Sequence, residues 1–355
     1  MERALEIAQG LLSLPTAPFH EDRPARYAAE LAEATDGLES ARDAAGNVVI
    51  RAGGEGTPLV LVAHLDHPGF SVDLVVGSTA ELSFRGGLSQ RAALEGARVQ
   101  FFRPGVDDAV GEGEVVATEG SADRLTGASA AVVAGEPLVG DFAMWSFPGF
   151  ELADGRITAR ACDDLVGAAA VLACLEAAAG GGRPVWGLLT RAEEVGLLGA
   201  FEAIRLGTVP VDAVVLSLEC SKALPEAPQG SGVIIRVGDR LSVFDPAVTA
   251  ALTAVAAAER VPHARRLMDG GVCEASAFCA AGYRASGLCI ALGNYHNADD
   301  GGGGIAPENV LVDDYLAEVA LLDRLAAAPL DLRADEAWLA DRTEQARIAL
   351  GAGDA

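Results

Sequence analysis

Val185-Trp186-Gly187-Leu188-Leu189 runs into Thr190-Arg191-Ala192-Glu193-Glu194-Val195-Gly196. An apolar run of strand length stops in a turn that carries two adjacent glutamates, followed by a glycine and a helix-like segment. Like charges side by side repel, and unless something positive lies between them one is held protonated. A divalent ion resolves the conflict. One carboxylate ligates it while its neighbour handles the proton of a bound water. A solvated turn with two acids is the plain alternative, and the rest of the chain decides between the two.

The pattern of an apolar run ending in an acid or a histidine recurs along the chain. Pro58-Leu59-Val60-Leu61-Val62-Ala63 ends in His64-Leu65-Asp66-His67, and Ala213-Val214-Val215-Leu216-Ser217-Leu218 ends at Glu219. The run 288–292 leads to His296, and Asp163-Asp164 opens an alanine-rich helix reaching about 179. Short continuous apolar runs are the signature of strands covered on both faces. Further strands are expected at 47–50 and 232–237. Helices are expected in 1–35 (two, broken near Pro15 and Pro18), at 246–259 with Asp245 as its cap, and at 274–281, 308–328 and 331–350. Between 68 and 150 helical periodicity fades into short alternating runs punctuated by glycine, a β-rich module. The expected fold is α/β: an αβα sandwich with a mostly parallel central sheet, built from 1–68 and 151–355, with a small β-rich domain inserted at 69–150. In such sheets ligands gather at the carboxyl ends of the strands.

The composition is consistent with this. At 355 residues, half of them hydrophobic, the chain is long enough for two domains. Its 51 acids against 26 bases give a formal charge of -25, which argues against nucleic acid and anionic membranes as partners and suits a protein that attracts cations. No run approaches a membrane span. The amphipathic, charged start does not read as a secretory signal, and six scattered cysteines fit a reducing compartment, so a cytoplasmic location is expected. Cys174, Cys279 and Cys289 read as core. Cys162, Cys220 and Cys273 each adjoin an acid and read as possible lining of a site.

His64, Asp163, Glu193, Glu194, Glu219 and His296 all sit just beyond apolar strands or at a helix start. Imidazole and carboxylate ligands suit zinc, with cobalt and manganese also fitting. One ion takes His64 and Glu219, and the other takes Glu194 and His296. Asp163 has two oxygens to bridge them at roughly 3.5–4 Å, although capping its helix is its plainer role. Asp66 lies two residues beyond His64, on the same side of an extended chain, where its carboxylate can hold the imidazole's other nitrogen. His67, His20 and His263 have no such support and read as surface residues. Arg91, Arg103 and Lys222 could contact substrate, although solvated surface is the plainer reading of each.

Ala63-His64-Leu65-Asp66, Ala161-Cys162-Asp163-Asp164-Leu165-Val166-Gly167 and Glu193-Glu194-Val195-Gly196-Leu197-Leu198-Gly199-Ala200, followed by a late histidine, resemble the M42 family of dinuclear metallo-aminopeptidases. That family includes the glutamyl and tetrahedral aminopeptidases, in the clan shared with M20 and M28. The β-rich insert lies between the first histidine and the bridging aspartate, as in M42 chains, whereas M20 chains place theirs after the glutamate pair. The resemblance implies His64, Asp163 and Glu219 on one ion and Asp163, Glu194 and His296 on the other. It implies Glu193 as general base on a water bridging them, and Asp66 as the carboxylate behind His64. It further implies removal of N-terminal residues from peptides and a large homo-oligomer. Glu219 stands where M42 relatives usually have aspartate, and the last histidine lacks the family's following serine. The rival readings are a deacylase, amidohydrolase or carboxypeptidase of the M20 type using the same metals, and a metal-binding assembly protein without turnover.

Overall fold

The structure, a computed structural model, describes residues 1–350. Residues 351–355, assigned above to the catalytic segment, lie outside them. The central sheet has nine strands. Its middle is parallel: Val185–Thr190, Leu59–His64, Val214–Ser217 and Arg284–Leu292 lie side by side in that order. Antiparallel strands close it on each flank, Val48–Ala52 on one and Val233–Gly238 on the other. The α/β reading therefore stands, with the sheet mixed rather than wholly parallel; beyond the second flank, His263–Leu267 again runs parallel to Val233–Gly238.

Leu59–His64 is buried along its whole length, and its side chains alternate between the two faces as strand geometry requires. Leu59, Leu61 and Ala63 pack into one core and Val60 and Val62 into the other. The first face is covered by helices Glu2–Leu12, Leu165–Ala178 and Val312–Ala327, the second by Leu198–Leu206 and Glu274–Ala280. Leu165–Ala178 is apolar on nearly every side because it is buried on nearly every side, against the sheet and between two other helices.

The stretch between His64 and the next helix leaves this layer. Strands Gly69–Val76, Thr79–Arg85, Arg98–Phe102, Ala109–Ser121, Arg124–Gly135 and Phe142–Trp145 close into a barrel. Phe70 fills it, edge-on to both Phe84 and Trp145 at 4.9 Å. Phe102 and Phe142 turn outward into the main core and form the seam, with the buried guanidiniums of Arg23 and Arg160 over the Phe102 ring at 5.5 and 5.1 Å.

One expected element differs. The helix expected at 308–328 begins at Val312, and Glu308–Leu311 is a strand paired with Arg156–Ala159. The acids Asp313 and Asp314 mark the true helix start, where the dipole favours them. Among the described residues no helix is long and apolar enough to cross a membrane.

Candidate metal centre

The parallel strands end on one edge, and the acids and histidines stand there. His64 closes Leu59–His64, Glu193 and Glu194 follow Val185–Thr190, Glu219 follows Val214–Ser217, and His296 lies beyond Arg284–Leu292. Asp163 sits between the two histidines. Its Oδ1 is 3.4 Å from His64 Nε2 and its Oδ2 is 3.6 Å from His296 Nε2. Glu194 Oε1 is 3.3 Å from His296 Nε2, and Glu193 Oε2 is 4.0 Å from His64 Nε2. Three trios have ligand atoms within 4.8 Å of one another: His64, Asp163 and Glu219; Asp163, Glu194 and His296; His64, Glu193 and Glu194.

Buried polar groups hold the glutamate turn. Asn47 Oδ1 accepts Arg191 N–H at 3.1 Å, and its Nδ2 donates to the Gly199 carbonyl at 3.0 Å. A Cβ on Gly199 would stand 2.5 Å from that Oδ1 and 2.6 Å from the Arg191 nitrogen, so the motif needs glycine there. Glu21, fully buried, accepts Ala192 N–H at 3.1 Å and the Arg191 guanidinium at 2.7 Å, pinning Ala192 in a left-handed conformation, φ 53°. Asp66 accepts the N–H groups of Glu193 at 2.9 Å and Glu194 at 3.1 Å.

Asp66 therefore acts otherwise than its spacing implied. The His64 Nδ1 bonds to the backbone carbonyl of Asp66 at 3.0 Å, and the carboxylate, at 3.7 Å, is spent on the glutamate turn. Asp163 does not cap the following helix; Asp164 does, its carboxylate accepting Gly167 N–H at 3.2 Å. His67 is fully buried rather than at the surface, bonded to the Asp163 carbonyl at 2.8 Å and to Asn297 Oδ1 at 3.1 Å. His20 and His263 are half-buried, His20 stacked on Phe142. Cys162, Cys220 and Cys273 are buried, and none joins the ligand trios of the described residues.

Glu308 had no signal in the sequence, where it read as the first turn of a helix. It is fully buried; its Oε2 accepts Cys162 N–H at 2.7 Å and Asp163 N–H at 3.0 Å, and its Oε1 accepts His296 N–H at 2.8 Å. One carboxylate thus ties together the two loops that carry Asp163 and His296. Glu274, also buried, accepts the hydroxyls of Thr190 at 2.9 Å and Ser217 at 2.8 Å, joining the strand ends that carry Glu193 and Glu219.

The electrostatics call for positive charge. A carbonyl only accepts, so Nδ1 of each site histidine carries the hydrogen: His64 toward Asp66, and His296 toward the Gly87 carbonyl at 2.5 Å. Each Nε2 then faces carboxylate oxygens at 3.3–3.6 Å, a contact that only a proton or a metal ion satisfies. Burial first, then the neighbouring carboxylates, raises Glu193 and Glu219 well above the usual carboxylate range. Burial opposes charge on His64 and His296, yet the facing carboxylates carry both well above the ordinary imidazole value. Asp163 Oδ1, Glu194 Oε1 and Glu219 Oε1 are buried with no hydrogen-bond partner. Native interiors rarely leave such atoms unpaired. An imidazole and carboxylate set with unsatisfied oxygens aimed inward fits a pair of divalent ions.

Two spaces open from these residues. An open cleft of about 350 Å³ runs over Glu193, Glu194 and His296, between Gly87 of the barrel and Arg240. A narrower cavity of about 80 Å³ lies beside Glu219 and shares Gly270, Gly271, Val272 and Tyr295 with the cleft. Arg236 and Lys222 line the cavity. Arg236 is buried with its Nε unpaired, and Lys222 is the only lysine in the sequence.

The M42 glutamyl aminopeptidase family matches residues 133–299, a stretch that contains Asp163, Glu193, Glu194, Glu219 and His296 but not His64 or Asp66. No curated protein matches the chain. Among solved structures it is similar to an aminopeptidase from the archaeon Desulfurococcus kamchatkensis, with 23% identity over 92% of this chain and 95% of that one, TM-score 0.78. It is also similar to a TET aminopeptidase from a marine sediment Thaumarchaeota archaeon, with 20% identity over 92% and 98%, TM-score 0.79. The TET1 peptidase of Pyrococcus horikoshii, which assembles into a tetrahedron or a large octahedral shell, gives 19% identity over 91% and 99%, TM-score 0.76. At these identities the solved structures speak for the fold alone.

Proposed function

We propose that this chain is a peptide-hydrolysing enzyme of the M42 type, a dinuclear metallo-aminopeptidase, a reading that the partial family match and the shared fold support. The observation that carries the reading is the pair of imidazole Nε2 atoms, on either side of Asp163, each facing a buried carboxylate oxygen with no hydrogen-bond partner: Asp163 Oδ1 for His64 and Glu194 Oε1 for His296. His64, Asp163 and Glu219 would hold one ion, and Asp163, Glu194 and His296 the other, with zinc, cobalt and manganese all suited to the set. When bound, the ions supply Lewis acidity, making a water acidic near neutral pH and polarising the scissile carbonyl.

The chain's own residues do the rest. Glu193 takes the attacking water's proton at its carboxylate and returns it to the leaving amine. Desolvation raises its proton affinity, which suits a group that must accept and then release a proton. The carboxylates around it attract the ammonium of a free N-terminus. The cavity beside Glu219 would take the side chain of the residue removed. With a buried, unpaired guanidinium and a lysine on its wall, that cavity favours a carboxylate. A homo-oligomer is proposed from the assemblies of the TET relatives. An amidohydrolase acting on N-acyl amino acids is the rival that the same centre would serve.

Hydrolysis of aminoacyl anilides and of N-acyl amino acids by the zinc- or cobalt-loaded protein separates the two. Glu193→Gln is expected to abolish turnover and leave metal content intact. Turnover that survives this change would remove Glu193 from its role.

A further inference from the structure

The cleft holds a cation that the hydrolytic reading leaves without a task. Arg240 lines it together with Glu193, Glu194 and His296, and among the described residues nothing is bonded to its guanidinium. Its root, by contrast, is fixed. Its backbone N–H donates to the Gly271 carbonyl at 3.0 Å, so the arginine is tied to the segment that lines both cleft and cavity. The turn around it is organised by Asp239, which is buried. One Asp239 oxygen accepts Leu241 N–H at 2.8 Å and Ser242 N–H at 3.0 Å; the other accepts Cys273 N–H at 3.1 Å and the Ser276 hydroxyl at 2.6 Å. A carboxylate with four donors makes a rigid mount. A guanidinium on a rigid mount loses less freedom on meeting a partner.

The partner must be anionic. The other charged groups lining the cleft are Glu193 and Glu194, which sit at the chemistry. A peptide with its first side chain in the cavity and its first peptide bond over the carboxylates leaves along the cleft, advancing about 3.3 Å per residue. One or two residues on, a short peptide presents its terminal carboxylate where a longer one presents a neutral amide. The planar fork of arginine pairs with a carboxylate through two parallel hydrogen bonds. We infer that Arg240 binds the free C-terminal carboxylate of short peptides, making the enzyme selective for di- and tripeptides. This inference rests on the aminopeptidase reading above.

The test uses peptides that differ only in that group: a dipeptide ending in glycine and its C-terminal amide, and the glycyl-glycine tripeptide and its amide, all with one N-terminal residue. Glycine has no side chain, so any carboxylate effect comes from the terminus. The metal-loaded full chain is expected to favour the acid of at least one pair on the order of tenfold in kcat/KM, mainly through KM. In Arg240→Gln the acid should fall to the level of its amide. Equal rates for acid and amide in both pairs would overturn the inference, as would an Arg240→Gln change that lowers acid and amide by the same factor. If none of the four is cleaved while N-acyl amino acids are, the aminopeptidase reading itself has failed and the inference falls with it.

Discussion

Glu308 offers the sharpest test of how the centre is held. Its carboxylate receives three backbone N–H groups from the two loops that carry Asp163 and His296. In Glu308→Gln a single oxygen remains. If it keeps the pair at Cys162 and Asp163, the new amide turns a donor toward the His296 N–H, which is left unpaired in a buried site. That costs about 1–3 kcal/mol of stability. Glu308→Ala abandons all three N–H groups and should cost roughly 3–9 kcal/mol. The functional consequence is larger than the thermal one. With the loops no longer tied, Asp163 and His296 lose their mutual spacing, and zinc affinity should fall by about 10–100-fold, as for other groups that orient metal ligands. Chelator competition on the folded Glu308→Gln protein gives the affinity, and calorimetric melting of the metal-free protein gives the stability. Lowered stability with unchanged zinc affinity would refute the claim that Glu308 sets the geometry of the centre.

Other expectations follow from the same geometry. Glu318 is fully buried with both oxygens unpaired, and burial, then Asp314, pushes its pKa to about 8. Its raised value means that folding favours the protonated form, so the benefit is present at acid pH and is lost as pH rises toward 8. Glu318→Gln should be nearly neutral at pH 4.5 and stabilise by about 3 kcal/mol at pH 7; an equal urea-midpoint shift at both pH values would contradict this. Arg236→Gln should lower kcat/KM for acidic N-terminal residues relative to leucine by about tenfold, and a substrate panel that keeps its ranking would count against the cavity as their pocket. Gly199→Ala should misplace the glutamate turn and abolish activity while the protein stays folded, since the added carbon meets Asn47 and Arg191; full activity in a folded variant would show that the turn yields.

Much of the fold was legible because its parallel strands are buried on both faces and so read as unbroken apolar runs ending in functional groups. The ligand candidates stood out for the same reason, since a histidine or acid directly after such a run has left the core at the sheet's active edge. The supporting groups were not legible. Glu21, Glu274 and Glu308 carry no distinguishing local pattern in the sequence, and only the folded chain shows what each receives: backbone N–H groups at Glu21 and Glu308, the hydroxyls of Thr190 and Ser217 at Glu274. His67 reads as a surface residue in the sequence because its partners, the Asp163 carbonyl and Asn297, are remote in number. The strand 308–311 was hidden because its pairing with 156–159 is decided by chain placement, not local pattern. Asp66 was noticed for its distance from His64, but the competing backbone donors of Glu193 and Glu194 claimed its carboxylate.

The contact between the Gly87 carbonyl and His296 means that the barrel is no mere roof. A Cβ at position 87 would stand 3.4 Å from that imidazole, in van der Waals contact with the ring. Excising the module would uncover the core at the seam that Phe102 and Phe142 fill, and grafting another of the same outline would leave one candidate ligand ring free to swivel. The half-built centre would keep its His64 side and lose the preorganisation of the other. Any rocking of the module against the base is thereby transmitted to ion retention, and the two parts must be inherited as a matched set.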